Sequence, residues 1–251
     1  MPHHSILRPD TALLLIALLA FTACSGNDDA DGDGAGAGSG GASGSGGGSG
    51  TTGGGAATGY CQAATPELVS GSGVPKNPAI PLSERLVPES ACSAVEREFP
   101  LEPAIHTDSF CVEIDYSTNP PCTGLHYGTW AAYRVYDEPI PRGFWVHSLE
   151  HGAVVVGHSC ADCADEITAA ESLLEDVGAD PVCVARMQPT RRTILTPDPR
   201  LETPWAAASW GFTLTADCFE PEVFRAFIDA HRGHGLEDVC SDGLDVSLPP
   251  P

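Results

Sequence analysis

A stretch rich in glycine and serine, from Ser25 to Gly59, limits which part of this chain can fold. It consists of glycine, serine, alanine and threonine with a few aspartates, and it has no apolar periodicity. Such a composition cannot bury enough apolar surface to form a core, so we expect a disordered tether. The sequence therefore predicts one globular domain, residues 60–251, which is long enough to build a sizeable core.

The segment before the tether has the features of an export signal. An apolar run from Thr11 to Ala23 follows Arg8 and ends in small residues directly before Cys24. The run is shorter than the roughly twenty residues that cross a bilayer, so we predict a cleaved signal peptide, residues 1–23. Phe21-Thr22-Ala23-Cys24 resembles the lipobox of bacterial lipoproteins, which implies that Cys24 is lipidated and that residues 24–59 form a lipid-anchored tether.

These signals place the protein in the cell envelope, with its domain in the periplasm or on the cell surface. Ordinary secretion after cleavage near Ala23 is the alternative. The formal net charge is -22, so binding to nucleic acid is not expected. A surface this acidic is also repelled by anionic lipid, so we expect membrane contact through the lipid anchor alone. The sequence names no protein partner.

Ten cysteines are present, and nine remain when Cys24 is set aside. An exported domain this rich in cysteine is expected to form disulfides. Because nine is an odd number, at least one thiol must be free, bound to metal or paired between chains. Cys160-Ala-Asp-Cys163 is a C-x-x-C preceded by His158. We interpret it as a structural disulfide, and a metal or redox site is the alternative.

Apolar patterning predicts an α+β fold. Ala153 to Gly157 is the best candidate for a central buried strand. Helical spacing predicts helices from Asp165 to Val177 and from Pro221 to Arg232. Further strands are predicted over Phe110–Tyr116, Val182–Met187, Arg192–Leu195 and Ala206–Thr215. This order indicates a mixed or antiparallel sheet covered by two helices and stabilised by disulfides.

The segment His147-x-x-Glu150-His151 is the first candidate for chemistry. Histidines four residues apart lie on one face if the segment is helical, and they can then share a divalent ion. The pattern matches the H-x-x-E-H of inverted zinc proteases, in which the glutamate activates water. One hypothesis is therefore a zinc-dependent hydrolase with Glu150 as its general base. Gly152 limits any such helix to about two turns, and no clear partner helix offers a third ligand.

A wider resemblance covers most of the predicted domain, from about His106 to Leu236. Three ordered segments are similar to the DUF3105 family, a bacterial family of uncharacterised exported or membrane-anchored domains: Asn119 to Tyr127, Val146 to Val155 and Ala208 to Gly211. The family carries no established activity, so the resemblance implies no reaction. Its motifs are centred on histidines, and His106 falls where many members have a histidine.

A histidine cluster that binds copper or zinc is the main functional hypothesis, because neutral imidazoles in an oxidising compartment suit these metals. In this hypothesis Glu150 orients the ligands, or acts as a general base if the site is catalytic. The alternative is a disulfide-stapled structural or interaction module of the envelope without an active site, so enzymatic activity stays open. The candidate ligands are His126, His147, His151 and His106.

Overall fold

The computed structural model describes residues 75–108, 110 and 114–247. The predicted signal peptide, residues 1–23, and the predicted lipidated tether, residues 24–59, lie outside the described residues. Cys61 and Cys111 also lie outside them.

The described residues form eight strands and four α-helices. In chain order they are β1 Ser83–Leu86, β2 Val95–Glu98, β3 His106–Thr107, β4 His126–Tyr127, α1 Arg142–Glu150, β5 Val154–His158, α2 Ala164–Val177, α3 Pro181–Ala185, β6 Thr193–Pro197, β7 Trp205–Ser209, β8 Phe212–Ala216 and α4 Pro221–His231.

Six of the strands form one mixed sheet in the order β1-β2-β8-β7-β5-β6. The β5–β6 pair is parallel, and each of the other neighbouring pairs is antiparallel. The remaining two strands, β3 and β4, form a separate parallel pair. The predicted α+β class and the mixed sheet are therefore confirmed.

The central strand β5 divides the core into two layers. Successive side chains of a strand point to opposite faces of its sheet. Val155 accordingly packs in the cluster that contains Leu149 of α1, whereas Val154 and Val156 pack in the cluster that contains the buried side chains of α2 and α4. A strand that is buried on both faces reads as a continuous apolar run, which is how the sequence identified this segment.

The two predicted helices cover one face of the sheet, and α1 covers the other. Both predictions are confirmed, because α2 and α4 span Ala164–Val177 and Pro221–His231. Gly178 follows α2 with a φ of 61°, a conformation that glycine adopts at a helix end without steric cost. Helix α1 carries the H-x-x-E-H segment, and its nine residues agree with the expected limit of about two turns.

The predicted strand over Val182–Met187 is wrong, because α3 occupies most of this segment. The Asp180 side chain accepts a hydrogen bond from the Val182 backbone N–H at 2.8 Å, and Pro181 takes the first helical position. Both are helix-start signals that outweigh the strand propensity of the valines.

Two further strand predictions need correction. The single strand predicted over Ala206–Thr215 is a hairpin of β7 and β8, which reverses at Gly211 with a φ of 85°. In the strand predicted over Phe110–Tyr116, the described residues 110 and 114–116 adopt no strand conformation.

Three disulfides join described cysteines: Cys92–Cys218, Cys160–Cys163 and Cys183–Cys240. Cys122 is the free cysteine of the described part of the chain, and it is buried. Burial raises the pKa of its thiol to about 12, so this thiol stays protonated at neutral pH and is not a reactive nucleophile.

Within the described ranges, no helix is both long enough and apolar enough to cross a membrane.

Candidate metal centre

Four side chains with metal-binding atoms converge where β3, β4 and α1 meet. We call them the histidine–glutamate cluster: His106, His126, His147 and Glu150. Their ligand atoms all lie within 4.8 Å of one another. The chain brings these residues together from three separate segments.

Strand pairing sets two members of the cluster side by side. In the parallel β3–β4 pair, His106 lies opposite His126, and their ring centroids are 4.7 Å apart. The other two members, His147 and Glu150, are three residues apart on α1, so they share one face of that helix. The cluster therefore forms where this helix face contacts the strand pair.

Gly143 allows α1 to approach β4 closely. A Cβ at this position would lie 2.8 Å from the ring of Tyr127, which follows His126 in β4. A residue with a side chain would push the helix away from the strand, and His147 would move with it. An isolated glycine inside a helix often has such a packing reason, and this signal was present in the sequence.

A second glycine holds the other end of α1. The Glu150 carbonyl accepts a hydrogen bond from the Glu237 backbone N–H at 2.8 Å. A Cβ on the intervening Gly235 would lie 2.2 Å from that carbonyl oxygen. The segment around Gly235 thus packs directly on the helix end that carries Glu150. The sequence analysis did not identify either glycine.

Hydrogen bonds to backbone carbonyls fix the orientation of two histidine rings. His126 Nδ1 lies 2.8 Å from the carbonyl oxygen of Gly124, and His147 Nδ1 lies 2.6 Å from that of Tyr127. A carbonyl oxygen only accepts, so in each neutral ring Nδ1 carries the proton and Nε2 presents a lone pair. This is the arrangement that metal-binding histidines adopt.

The Glu150 carboxylate lies at the centre of the cluster. Its Oε2 is 3.0 Å from His126 Nε2, 3.3 Å from His106 Nε2 and 3.7 Å from His147 Nε2. Ligands that surround a tetrahedral zinc ion at 2.0–2.1 Å are separated from each other by about 3.3 Å. The three distances scatter around that value, and all four ligand atoms lie within 4.8 Å of one another, so they are close enough to share one ion.

Burial keeps the rings of His126 and His147 neutral. The side chain of His126 is fully buried, and those of His147 and Glu150 are only 5% exposed. Burial disfavours the charged imidazolium, which lowers the pKa of His147 to about 4 and also lowers the pKa of His126. A neutral Nε2 and a carboxylate oxygen are both acceptors, so a cation between them would satisfy both lone pairs.

One side of the cluster is open to solvent through His106, whose side chain is 49% exposed. Its ring stacks on that of His147, with centroids 4.6 Å apart and an interplanar angle of 19°. The cluster therefore combines a buried floor with one accessible ligand, which gives an ion a path of entry.

His151, the remaining predicted ligand, lies at the edge of the cluster. Its Nε2 is 3.2 Å from His147 Nε2 and 3.4 Å from the Glu237 carboxylate. Its Nδ1 is buried and has no hydrogen-bond partner among the described residues. The structure therefore brings all four predicted histidines together, and it places the carboxylate of Glu150, the predicted orienting residue, directly against three of them.

A second group of metal-ligand residue types lies elsewhere in the fold. We call His158, Cys160 and Cys163 the histidine–cysteine group. The two sulfurs are joined to each other in the structure, so the predicted disulfide is present. In this oxidised form neither sulfur is a thiolate ligand.

The chain matches one family of known proteins. The model of the DUF3105 family, described as a protein of unknown function, matches residues 109–242, just over half of the chain. No curated protein and no solved structure matches the sequence significantly. The matched range includes His126, His147 and Glu150, and it begins after His106.

Proposed function

We propose, for a chain that belongs to the DUF3105 family of proteins of unknown function, that its histidine–glutamate cluster binds one divalent transition-metal ion. The observation that carries this proposal is the orientation of two buried rings. Carbonyl hydrogen bonds on Nδ1 of His126 and His147 turn both Nε2 lone pairs toward the same carboxylate, that of Glu150.

The donor set favours zinc or copper(II). Imidazole nitrogen suits both ions, and a carboxylate oxygen is a hard ligand that disfavours copper(I). Three nitrogens and one oxygen are a donor set that zinc takes in tetrahedral sites. Copper(II) prefers a flatter arrangement, which would require His106, the exposed ligand, to move.

The geometry supports metal binding more than hydrolysis. A catalytic zinc site usually has three protein ligands and an open position, whereas a closed site has four. Here Oε2 of Glu150 faces the three histidines. The carboxylate therefore fits the role of a fourth ligand better than that of a free general base. The partly exposed His106 is the ligand that would exchange most easily. We therefore propose that the protein takes up, holds and releases a metal ion.

The location of this activity is also a proposal. We propose that the protein is exported and lipid-anchored through Cys24, so that the domain handles metal in the cell envelope. The disulfides of the described domain support this, because such bonds form and persist in oxidising compartments. Intact-mass measurement of the membrane-extracted protein would test it. An N-terminal diacylated cysteine is expected, and an uncleaved N-terminus would overturn the proposal.

Metal stoichiometry tests the proposed function. The full chain, folded under oxidising conditions, is stripped with a chelator, dialysed against zinc or copper(II), and analysed by elemental mass spectrometry. We expect about one ion per chain, and its loss in a His126→Ala/Glu150→Gln double variant.

The matched control is the double variant His231→Ala/Glu96→Gln. It removes a histidine–carboxylate contact of 3.1 Å at another place in the fold, and it should keep the metal. A well-folded wild type without metal would contradict the proposal and favour the interaction module.

A further inference from the structure

The Cys160–Cys163 disulfide contributes little as a cross-link. Its cysteines are only 3 residues apart in sequence, compared with 126 for Cys92–Cys218 and 57 for Cys183–Cys240. The restriction that a disulfide places on the unfolded chain grows with the length of the loop it closes. The two long-range bonds therefore hold distant elements together, whereas the short one does not.

The position of this disulfide favours reactivity. It lies between the end of β5 at His158 and the start of α2, whose N-cap residue is Cys163. No side chain caps the first turn of α2, so its backbone N–H groups are available to a negative charge at residue 163. A helix N-terminus stabilises a thiolate and makes it a better leaving group.

A buried imidazole faces the two sulfurs. His158 is 8% exposed, its Nδ1 has no hydrogen-bond partner in the described structure, and a ring nitrogen lies within 4.8 Å of both sulfur atoms. Burial lowers the pKa of this histidine, so the ring is neutral at pH 7 and can accept a proton. Unpartnered buried nitrogens are uncommon, and the ring that carries this one lies where thiol chemistry needs a base.

We propose that Cys160–Cys163 is a redox-active disulfide that oxidises small thiols by thiol–disulfide exchange. Cys160 is half-buried and Cys163 is buried, so the incoming thiolate attacks Sγ of Cys160. The proton of that thiol moves to His158, the Cys160–Cys163 bond breaks, and its electron pair stays on Cys163. The protonated imidazole then returns the proton to the Cys163 thiolate.

A second thiol completes the reaction. Its thiolate attacks the sulfur of the bound thiol, forms a small-molecule disulfide and releases Cys160, which takes up the second proton. Two thiols are thus oxidised to one disulfide, and Cys160–Cys163 is reduced to two thiols. The step does not involve the proposed metal centre.

The charge around the disulfide selects the thiol. Asp162 lies between the two cysteines, and Asp165 follows in the first turn of α2; both are exposed. Together with the net charge of -22, these carboxylates repel anionic thiols. Uncharged and positively charged thiols are therefore the expected substrates.

A time course on the oxidised full chain tests this proposal. The protein is incubated at pH 7 with cysteamine or with glutathione, in the presence of a chelator. Free thiols are trapped with N-ethylmaleimide at intervals and assigned by peptide mass mapping. We expect Cys160 and Cys163 to be labelled at least about tenfold faster than Cys92 and Cys218.

The Cys92–Cys218 bond is a fair internal standard, because Cys218 is half-buried like Cys160. Equal or slower labelling of the C-x-x-C would overturn the proposal. Cysteamine should react faster than glutathione, and the difference should shrink at high salt. Equal rates at low salt would overturn the assignment of the thiol class.

Single variants separate the roles of the three residues. Treated with cystamine, the disulfide of cysteamine, Cys163→Ser should form a mixed disulfide at Cys160 with release of one cysteamine, and this adduct should survive to analysis, whereas Cys160→Ser should trap far less. His158→Asn should slow exchange severalfold without changing the rate at Cys92–Cys218. Absence of a trapped species in folded Cys163→Ser would contradict the proposal. If a variant fails to fold, the relative labelling rates in the wild-type time course decide whether the proposal holds.

Discussion

The histidine–glutamate cluster and the histidine–cysteine group both bring metal-binding residue types within 4.8 Å, but their atoms differ in what they can bind. In the cluster, carbonyl hydrogen bonds on Nδ1 leave the Nε2 lone pairs of His126 and His147 directed at Glu150. In the group, the sulfur atoms of Cys160 and Cys163 are bonded to each other. Proximity alone therefore does not make a metal site.

The two sets also differ in how the chain builds them. The group comes from one continuous segment, residues 158–163, so its members are close in any compact fold. The cluster joins β3, β4 and α1, and a glycine at 143 is needed to bring the helix onto the strand. An arrangement that requires tertiary packing is stronger evidence for a metal site than one that follows from sequence adjacency.

Removal of the central carboxylate should have the largest effect on metal binding. Glu150→Gln keeps the size of the side chain but removes the negative charge that faces three imidazoles. Loss of residues that only orient a ligand costs 10- to 100-fold in affinity, so we expect a loss of about 100-fold or more. Competition with a chromophoric chelator measures it. His158→Asn, which changes the histidine–cysteine group, should leave zinc affinity intact. A loss in this variant equal to that of Glu150→Gln would contradict the assignment of the zinc site to the histidine–glutamate cluster.

Acid should lower the free energy of unfolding through the buried histidines of the cluster. The Cys160–Cys163 disulfide does not titrate, so it should contribute no such pH dependence. The folded-state pKa of His147 is about 4, whereas an unfolded histidine has a pKa near 6.5. Between these values the unfolded chain binds more protons, so the free energy of unfolding falls as the pH decreases from 6.5 to 4. The effect is at most about 1.4 kcal/mol per pH unit for each histidine.

Urea titration of the metal-free chain at pH 7 and pH 5 measures this effect. The midpoint should be lower at pH 5, and His147→Asn should reduce the difference because one titrating group is lost. An identical difference in the variant would show that burial of His147 does not contribute.

Gly143→Ala should weaken the cluster through packing alone. The new Cβ would lie 2.8 Å from the Tyr127 ring, and overpacking of this kind costs about 1–3 kcal/mol. We expect a lower urea midpoint and a loss of about tenfold in metal affinity, because α1 moves away from β4. Gly128→Ala is the matched control, since its Cβ would meet no atom closer than 3.7 Å. Equal behaviour of the two variants would refute the role of Gly143.

His151→Ala should have the smallest effect, although the H-x-x-E-H pattern makes His151 an equal partner of His147. Its Nε2 is near His147 but also faces the exposed Glu237 carboxylate at the edge of the cluster. We expect a loss of less than about tenfold in zinc affinity, below the 10- to 100-fold range for residues that orient a ligand. A loss as large as that of Glu150→Gln would put His151 in the coordination shell and displace one of the other histidines.

Much of the cluster was predictable from sequence. The histidine-centred motifs pointed to His106, His126, His147 and His151, and the structure brings all four together. The direct contact of Glu150 with the histidines was not predictable. On a helix a glutamate three residues after a histidine shares its face, but only tertiary packing decides that His126 and His106 lie within 3.3 Å of that carboxylate.

The fold shows the same division between local and tertiary information. The helices α2 and α4 and the central strand β5 have strong periodicity, and the sequence located them within a few residues. Segment 182–187 was misread because two valines suggested a strand, whereas the Asp180 cap and Pro181 start a short helix. Short segments are decided by caps and contacts more than by propensity.

X-ray absorption at the zinc edge of the zinc-loaded full chain tests the central claim most directly, because it distinguishes nitrogen and oxygen from sulfur ligands. The account predicts four nitrogen or oxygen scatterers at about 2.0–2.1 Å with the outer-shell signature of three imidazoles. A sulfur scatterer at about 2.3 Å would place the ion at the cysteines, and fewer than two imidazoles would exclude the histidine–glutamate cluster as the binding site.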